Sequence, residues 1–151
     1  MANYLNALNA LILFAAEEVG LLGAKEYVKV HKNNMNSHVI GAEWDFGIGR
    51  IYKMTPGVGA QSLNAIRELA QYLAPLGVAL SPENNAKGQS DMSALSDAGM
   101  PSIDFAPDGS NYFDYHHTAA DVLEVVNKRE LDAGAAAMAT LVYLLDKFGL
   151  D

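Results

Sequence analysis

Short, wholly apolar runs alternate along this chain with stretches of helical periodicity, and that alternation leaves few folds open. Residues 11–15, Leu-Ile-Leu-Phe-Ala, stop abruptly at a pair of carboxylates, Glu17 and Glu18. A short run with no polar alternation reads as a strand covered on both faces. Residues 38–45, 50–54, 78–80 and 102–106 read as further strands. Between them, residues 22–32, 61–73, 93–98 and 128–148 read as helices. Pro75 stops the second of these, Gly99 closes the third and Gly149 ends the last. The spacing predicts that the last helix buries Leu131, Ala135, Met138, Leu141, Val142, Leu145 and Phe148. Strands alternating with helices predict an α/β fold of three layers, a mostly parallel sheet flanked by helices.

Composition narrows the function classes. The 151 residues are half apolar, enough for one domain with a real core. A formal charge of -8 excludes nucleic acid as an expected partner, because little here neutralises phosphates. No cysteine is present, so thiolate metal sites and thiol nucleophiles are ruled out. No apolar run approaches the roughly 20 residues of a membrane span, and no membrane partner is expected. Residues 8–16 imitate the apolar part of a secretion signal, but no Lys or Arg precedes them. The compartment stays unassigned.

In parallel α/β sheets, chemistry sits beyond the carboxyl ends of the strands. Three separated segments bring suitable groups to such ends: Glu17-Glu18, Asp45, and the loop after Phe105 that carries His116-His117. Paired carboxylates with a remote histidine suit a zinc hydrolase, in which one carboxylate holds metal, its neighbour moves protons and the imidazole completes the shell. The plainer readings are specific too. Adjacent Glu residues suit a helix first turn, an Asp before Gly stabilises a turn, and Asp91 suits the cap of the helix over 93–98. His31 sits near a helix end and His38 opens a strand, and neither is a ligand candidate. Tyr112, Phe113 and Tyr115 either line a side-chain pocket or pack the loop.

Five stretches, in order, carry a resemblance: residues 13–23 (LFAAEEVGLLG), 43–47 (EWDFG), 88–91 (GQSD), 98–101 (AGMP) and 115–121 (YHHTAAD). With them the chain resembles the zinc exopeptidases of metallopeptidase family 28, of the aminopeptidase and carboxypeptidase Q type, from about residue 11 onward. The resemblance implies a phosphorylase/hydrolase-like fold and metal-dependent hydrolysis of peptide bonds at chain ends. It implies that Glu17 is the general base and that Glu18 and His117 hold one zinc ion. Asp45 would hold a second zinc, Tyr115, His116 and Asp91 would meet the peptide substrate, and Asp121 would support the histidine loop. The family is often secreted or periplasmic.

The same resemblance implies a deficit. The family carries a further His and a bridging Asp upstream of its Glu pair, and residues 1–10 contain neither residue type. Residues 11–151 are therefore expected to be the later part of a catalytic domain, its N-terminal part missing, behind a lead-in of residues 1–10. One zinc or none is expected, with activity impaired. The alternative is a non-catalytic fragment or acidic interaction module with at most a residual single-metal site. A strand over 11–15 with an open edge further predicts a homo-oligomer, or pairing with the missing N-terminal half.

Overall fold

The computed structural model describes residues 8–47 and 49–150. Most of the expected lead-in, including Tyr4 and Leu5, and Ile48 of the glycine-rich turn lie outside them. The elements run α1 (Leu22–Val30), β1 (Gly41–Trp44), β2 (Ile51–Gly57), α2 (Leu63–Leu73), β3 (Ala79–Leu80), α3 (Asp91–Asp97), β4 (Ser102–Pro107), α4 (Tyr112–Tyr115) and α5 (Lys128–Phe148). The sheet order is β1-β4-β2-β3. The α/β class holds, and the sheet is mixed: β1 pairs parallel with β4 and β2 with β3, while β2 and β4 run antiparallel. The short connection over residues 45–50 turns β2 back against the direction of β1, too short for a parallel crossover, and β4, parallel to β1, lies between the two.

The strict side-chain period of the strands sorts the two faces. Ile103 and Phe105 of β4 point into one face, fully buried. There they join Ile66 and Leu73 of α2 and Leu141 of α5 in the larger core. On the other face α1 packs on α3, and Ala24, Met35, Met92, Leu95 and Met100 form a second core. A Cβ at Gly41 would stand 2.4 and 2.5 Å from the methyl groups of Met92 and Met100, so the methionine ends that join β1 to α3 would have to shift to admit a side chain there.

Two expectations need correction. Residues 11–15 form no strand: Leu11 and Leu13 are 90% and 88% exposed, and Phe14 alone reaches the second core, edge-on to Tyr27 at 5.8 Å. Apolar composition creates a strand only where a neighbouring strand offers ladder partners, and none of the described strands pairs with this segment. The buried stripe of α5 is Gly134, Ala137, Leu141 and Leu144, with Met138 and Leu145 at its margin, whereas Leu131, Ala135, Val142 and Phe148 are exposed. The smallest residues face the sheet because Trp44 of β1 occupies the space: a Cβ on Gly134 would stand 2.1 Å from its ring.

Candidate active site

Everything at the carboxyl end of β1 is organised by residues 87–92, just before and within the first turn of α3. Glu43 on β1 and Asp104 on β4 are register partners on the face that carries α3. The Glu43 carboxylate accepts from the backbone N–H groups of Ser90, Asp91 and Met92, at 2.9, 3.1 and 3.2 Å. It thus caps α3 from a different element, taking donors that an isolated helix start leaves unpaired. Burial is the largest influence on Glu43 and pushes its carboxyl above the ordinary value against those three bonds. Asp104 is also raised, chiefly by burial.

Gln89 bridges strand ends, its Oε1 accepting from the Asp45 N–H at 3.0 Å and its Nε2 donating to the Phe105 carbonyl at 2.9 Å. The Ser90 hydroxyl donates to Glu17 Oε1. One short segment therefore holds Glu17, Glu43, Asp45 and β4 in fixed relation. Asp91, expected to cap the helix, does not: it is the first helical residue, buried, and its Oδ1 has no hydrogen-bond partner. Burial, then the charges of Glu17 and Asp45, raise its carboxyl above the ordinary value.

The remaining groups arrive from turns under backbone strain. Outside glycine, positive φ occurs among the described residues at Ala16 (60°), Leu21 (58°), Phe46 (64°) and His117 (58°). These positions flank the Glu pair, follow Asp45, or are the candidate ligand itself. Such conformations are uncommon and concentrate at sites whose surroundings enforce them. His117 Nε2 lies 2.8 Å from Glu18 Oε2, with both side chains about two-thirds exposed. His116 stacks on His117, centroids 3.8 Å apart, and on Tyr112, 4.4 Å apart. Tyr115, His116 and Asp121 line a 440 Å³ cleft together with Tyr112, Asp108 and Glu130. A separate 330 Å³ cleft, lined by Gly57, Lys87 and Pro101, opens at the far end of the sheet.

Two ligands about 2.0–2.2 Å from a tetrahedral zinc stand roughly 3.3 Å from each other. The Glu18–His117 pair, at 2.8 Å, is in direct hydrogen-bonding contact and would part by about half an ångström to admit the ion; carboxylate with imidazole is a donor set that zinc accepts. A cation here would also relieve the repulsion among Glu17, Asp45 and the unpartnered Asp91. The fit stops at a pair: among the described residues no group of three His, Asp or Glu side chains is arranged to hold a metal ion. Glu43 and Gln89 belong to the site without having stood out in the sequence. Their only signal was position, a carboxylate two residues before Asp45 and an amide inside the GQSD stretch.

The model of Peptidase family M28 matches residues 9–142. The chain belongs to that family. A crystal structure of an M28 peptidase precursor from Shewanella amazonensis SB2B superposes with a TM-score of 0.81 and 40% sequence identity over 89% of this chain and 30% of that one. LapA from Legionella shares the fold at TM-score 0.63 and 16% identity. Carboxypeptidase Q of Mus musculus is 30% identical over 139 residues, and that of Homo sapiens 28%, each alignment covering 89% of this chain. The chain spans 28% of the length of these curated M28 relatives.

Proposed function

We propose that this chain carries the later part of a zinc exopeptidase active site, which hydrolyses peptide bonds at chain ends when the ligand shell is complete. The observation that carries the reading is the meeting of Glu18 with His117 from segments almost a hundred residues apart, beside a Glu17 already held by Ser90. Membership of a peptidase family supports it. Glu18 and His117 would hold one zinc ion and Asp45 would hold a second, and the metal so bound would polarise the peptide carbonyl as a Lewis acid. Glu17 then takes a proton from the attacking water and delivers it to the leaving amine. Ser90 keeps the Glu17 carboxylate in one orientation for both transfers. Tyr115, His116 and the adjoining cleft would receive the substrate residue next to the scissile bond, Asp91 would meet it in the role that the family resemblance gives, and Asp121 would steady the loop.

In this reading the segment works with ligands it does not itself supply, since no third donor completes the pair among the described residues. A non-catalytic role is the second reading, favoured by the exposure of Glu18 and His117. One experiment separates them. Residues 9–142 are grafted into the Shewanella amazonensis peptidase in place of its matching segment, and leucyl-anilide and dipeptides are assayed with and without chelator. The first reading expects chelator-sensitive turnover that falls about 10²–10⁴-fold in Glu17→Gln. A folded graft without turnover favours the second.

A further inference from the structure

We propose that Tyr112 is a positioning residue whose ring ties the turn after Asp45 to the histidine loop and so fixes where the His117 imidazole stands. The functional meaning rests on the metal reading above; the geometric claim stands without it. Phe46 and His117, the two strained residues on these turns, are joined by a continuous series of rings. Phe46 meets Tyr112 at 5.4 Å, Tyr112 stacks on His116 at 4.4 Å and 24°, and His116 stacks on His117 at 3.8 Å and 28°. Phe113 closes the series from the side, edge-on to Tyr112 at 5.0 Å.

Among the described residues, Tyr112 is the one ring that touches both turns. A Cβ on Gly47 would come 3.2 Å from Tyr112 Cδ2, so the phenol ring also lies against the backbone that follows Asp45. Backbone bonds hold the neighbours of His117: His116 N–H donates to the Tyr112 carbonyl and Thr118 N–H to that of Tyr115, both at 2.9 Å. They leave the imidazole of His117 to be oriented by Glu18 on one side and the face of His116 on the other. A residue at positive φ keeps that conformation only when its surroundings over-determine it, and offset ring stacking supplies such a constraint without hydrogen bonds. Burial and the charges of Asp45, Glu18, Glu17 and Asp121 all raise the Tyr112 phenol above its ordinary value, so the ring that forms the bridge stays neutral.

The test compares Tyr112→Phe, which keeps the ring, with Tyr112→Leu, which keeps bulk and loses the stack. Two readouts are taken on the 151-residue chain: Co²⁺ affinity, and the ring-proton NMR shifts of His116 and His117 in the metal-free protein at one fixed pH. The expected result is that Leu moves both histidine resonances and weakens Co²⁺ binding by about tenfold, the lower end for groups that orient a metal ligand. Phe should match the wild type in both. Unmoved His117 resonances in Tyr112→Leu, or a Phe variant as damaged as the Leu variant, would overturn the proposal. If Tyr112→Leu does not fold, Phe46→Leu breaks the same series at a half-exposed position and decides it by the same His117 shift. Co²⁺ binding indifferent to Glu18→Gln and His117→Ala would sink the metal reading instead, and the metal-free NMR shifts would then decide the positioning claim alone.

Discussion

Glu43 is half-buried by the segment it serves, since three N–H groups at the start of α3 converge on its carboxylate. Removing an acceptor shared by three buried donors leaves them unsatisfied, and Glu43→Ala is expected to cost about 1–3 kcal/mol in urea unfolding. The pH dependence follows from the direction of its shift. Glu43 is raised above 4.5 in the folded chain, so between that value and its folded value the folded state holds more proton than the unfolded state. Its contribution is therefore greatest at the acid end of that window and is lost as pH rises through the folded value. The stability difference between wild type and Glu43→Gln should shift in that direction on titration upward from pH 4.5; a flat difference would mean that Glu43 is not raised. None of this was legible in sequence. A Glu in a strand reads as an outward-facing residue, and its donors lie 47 to 49 positions away. Glu17, Glu18 and His117 stood out because their neighbours follow a family pattern.

At the level of elements, the strands and helices were legible where periodicity is strong. The extent of α5 matched, while its buried stripe was set by something periodicity does not encode, namely the Trp44 ring pressed into the gap at Gly134. Gly134→Ala separates two opposing effects. Helix propensity favours Ala by about 1 kcal/mol, whereas overpacking against the half-buried Trp44 ring costs about 1–3 kcal/mol. With a Cβ 2.1 Å from an indole carbon, overpacking wins, and the variant should melt below wild type; a higher melting temperature would mean that Trp44 has room to move. Residues 11–15 give the converse lesson. Their composition is that of a buried strand, but a strand is a property of a pair, and single sequences do not list partners. Leu11→Ser and Leu13→Ser should each change stability by less than about 0.5 kcal/mol, as exposed positions do. The comparison is made at concentrations low enough to keep the chain monomeric, where a loss of about 2 kcal/mol or more would contradict that exposure.

Across the whole molecule, the mixed sheet with α1 and α3 on one face and α2 and α5 on the other gives the site a firm floor and an open roof. Asp45, Glu43 and Gln89 rest on strands or on the segment pinned to them, while Glu18 and His117 meet near the surface. The homo-oligomer expected from an open strand edge over 11–15 loses that ground, because no strand forms there; we propose it instead on the exposure of Leu8, Leu11 and Leu13, which a second copy would cover. Sedimentation at tens of micromolar should report a dimer that Leu11→Ser weakens, and a monomer at that concentration would dispose of the proposal. The central claim is that Glu18 and His117 together hold a metal ion while Glu17 is left free for proton transfer. Equilibrium dialysis of the purified chain against zinc tests it most directly, with the three single variants alongside. The account predicts zinc uptake by the wild type and by Glu17→Gln, and its loss in both Glu18→Gln and His117→Ala. Uptake unchanged by those last two substitutions, or abolished by Glu17→Gln, would contradict it.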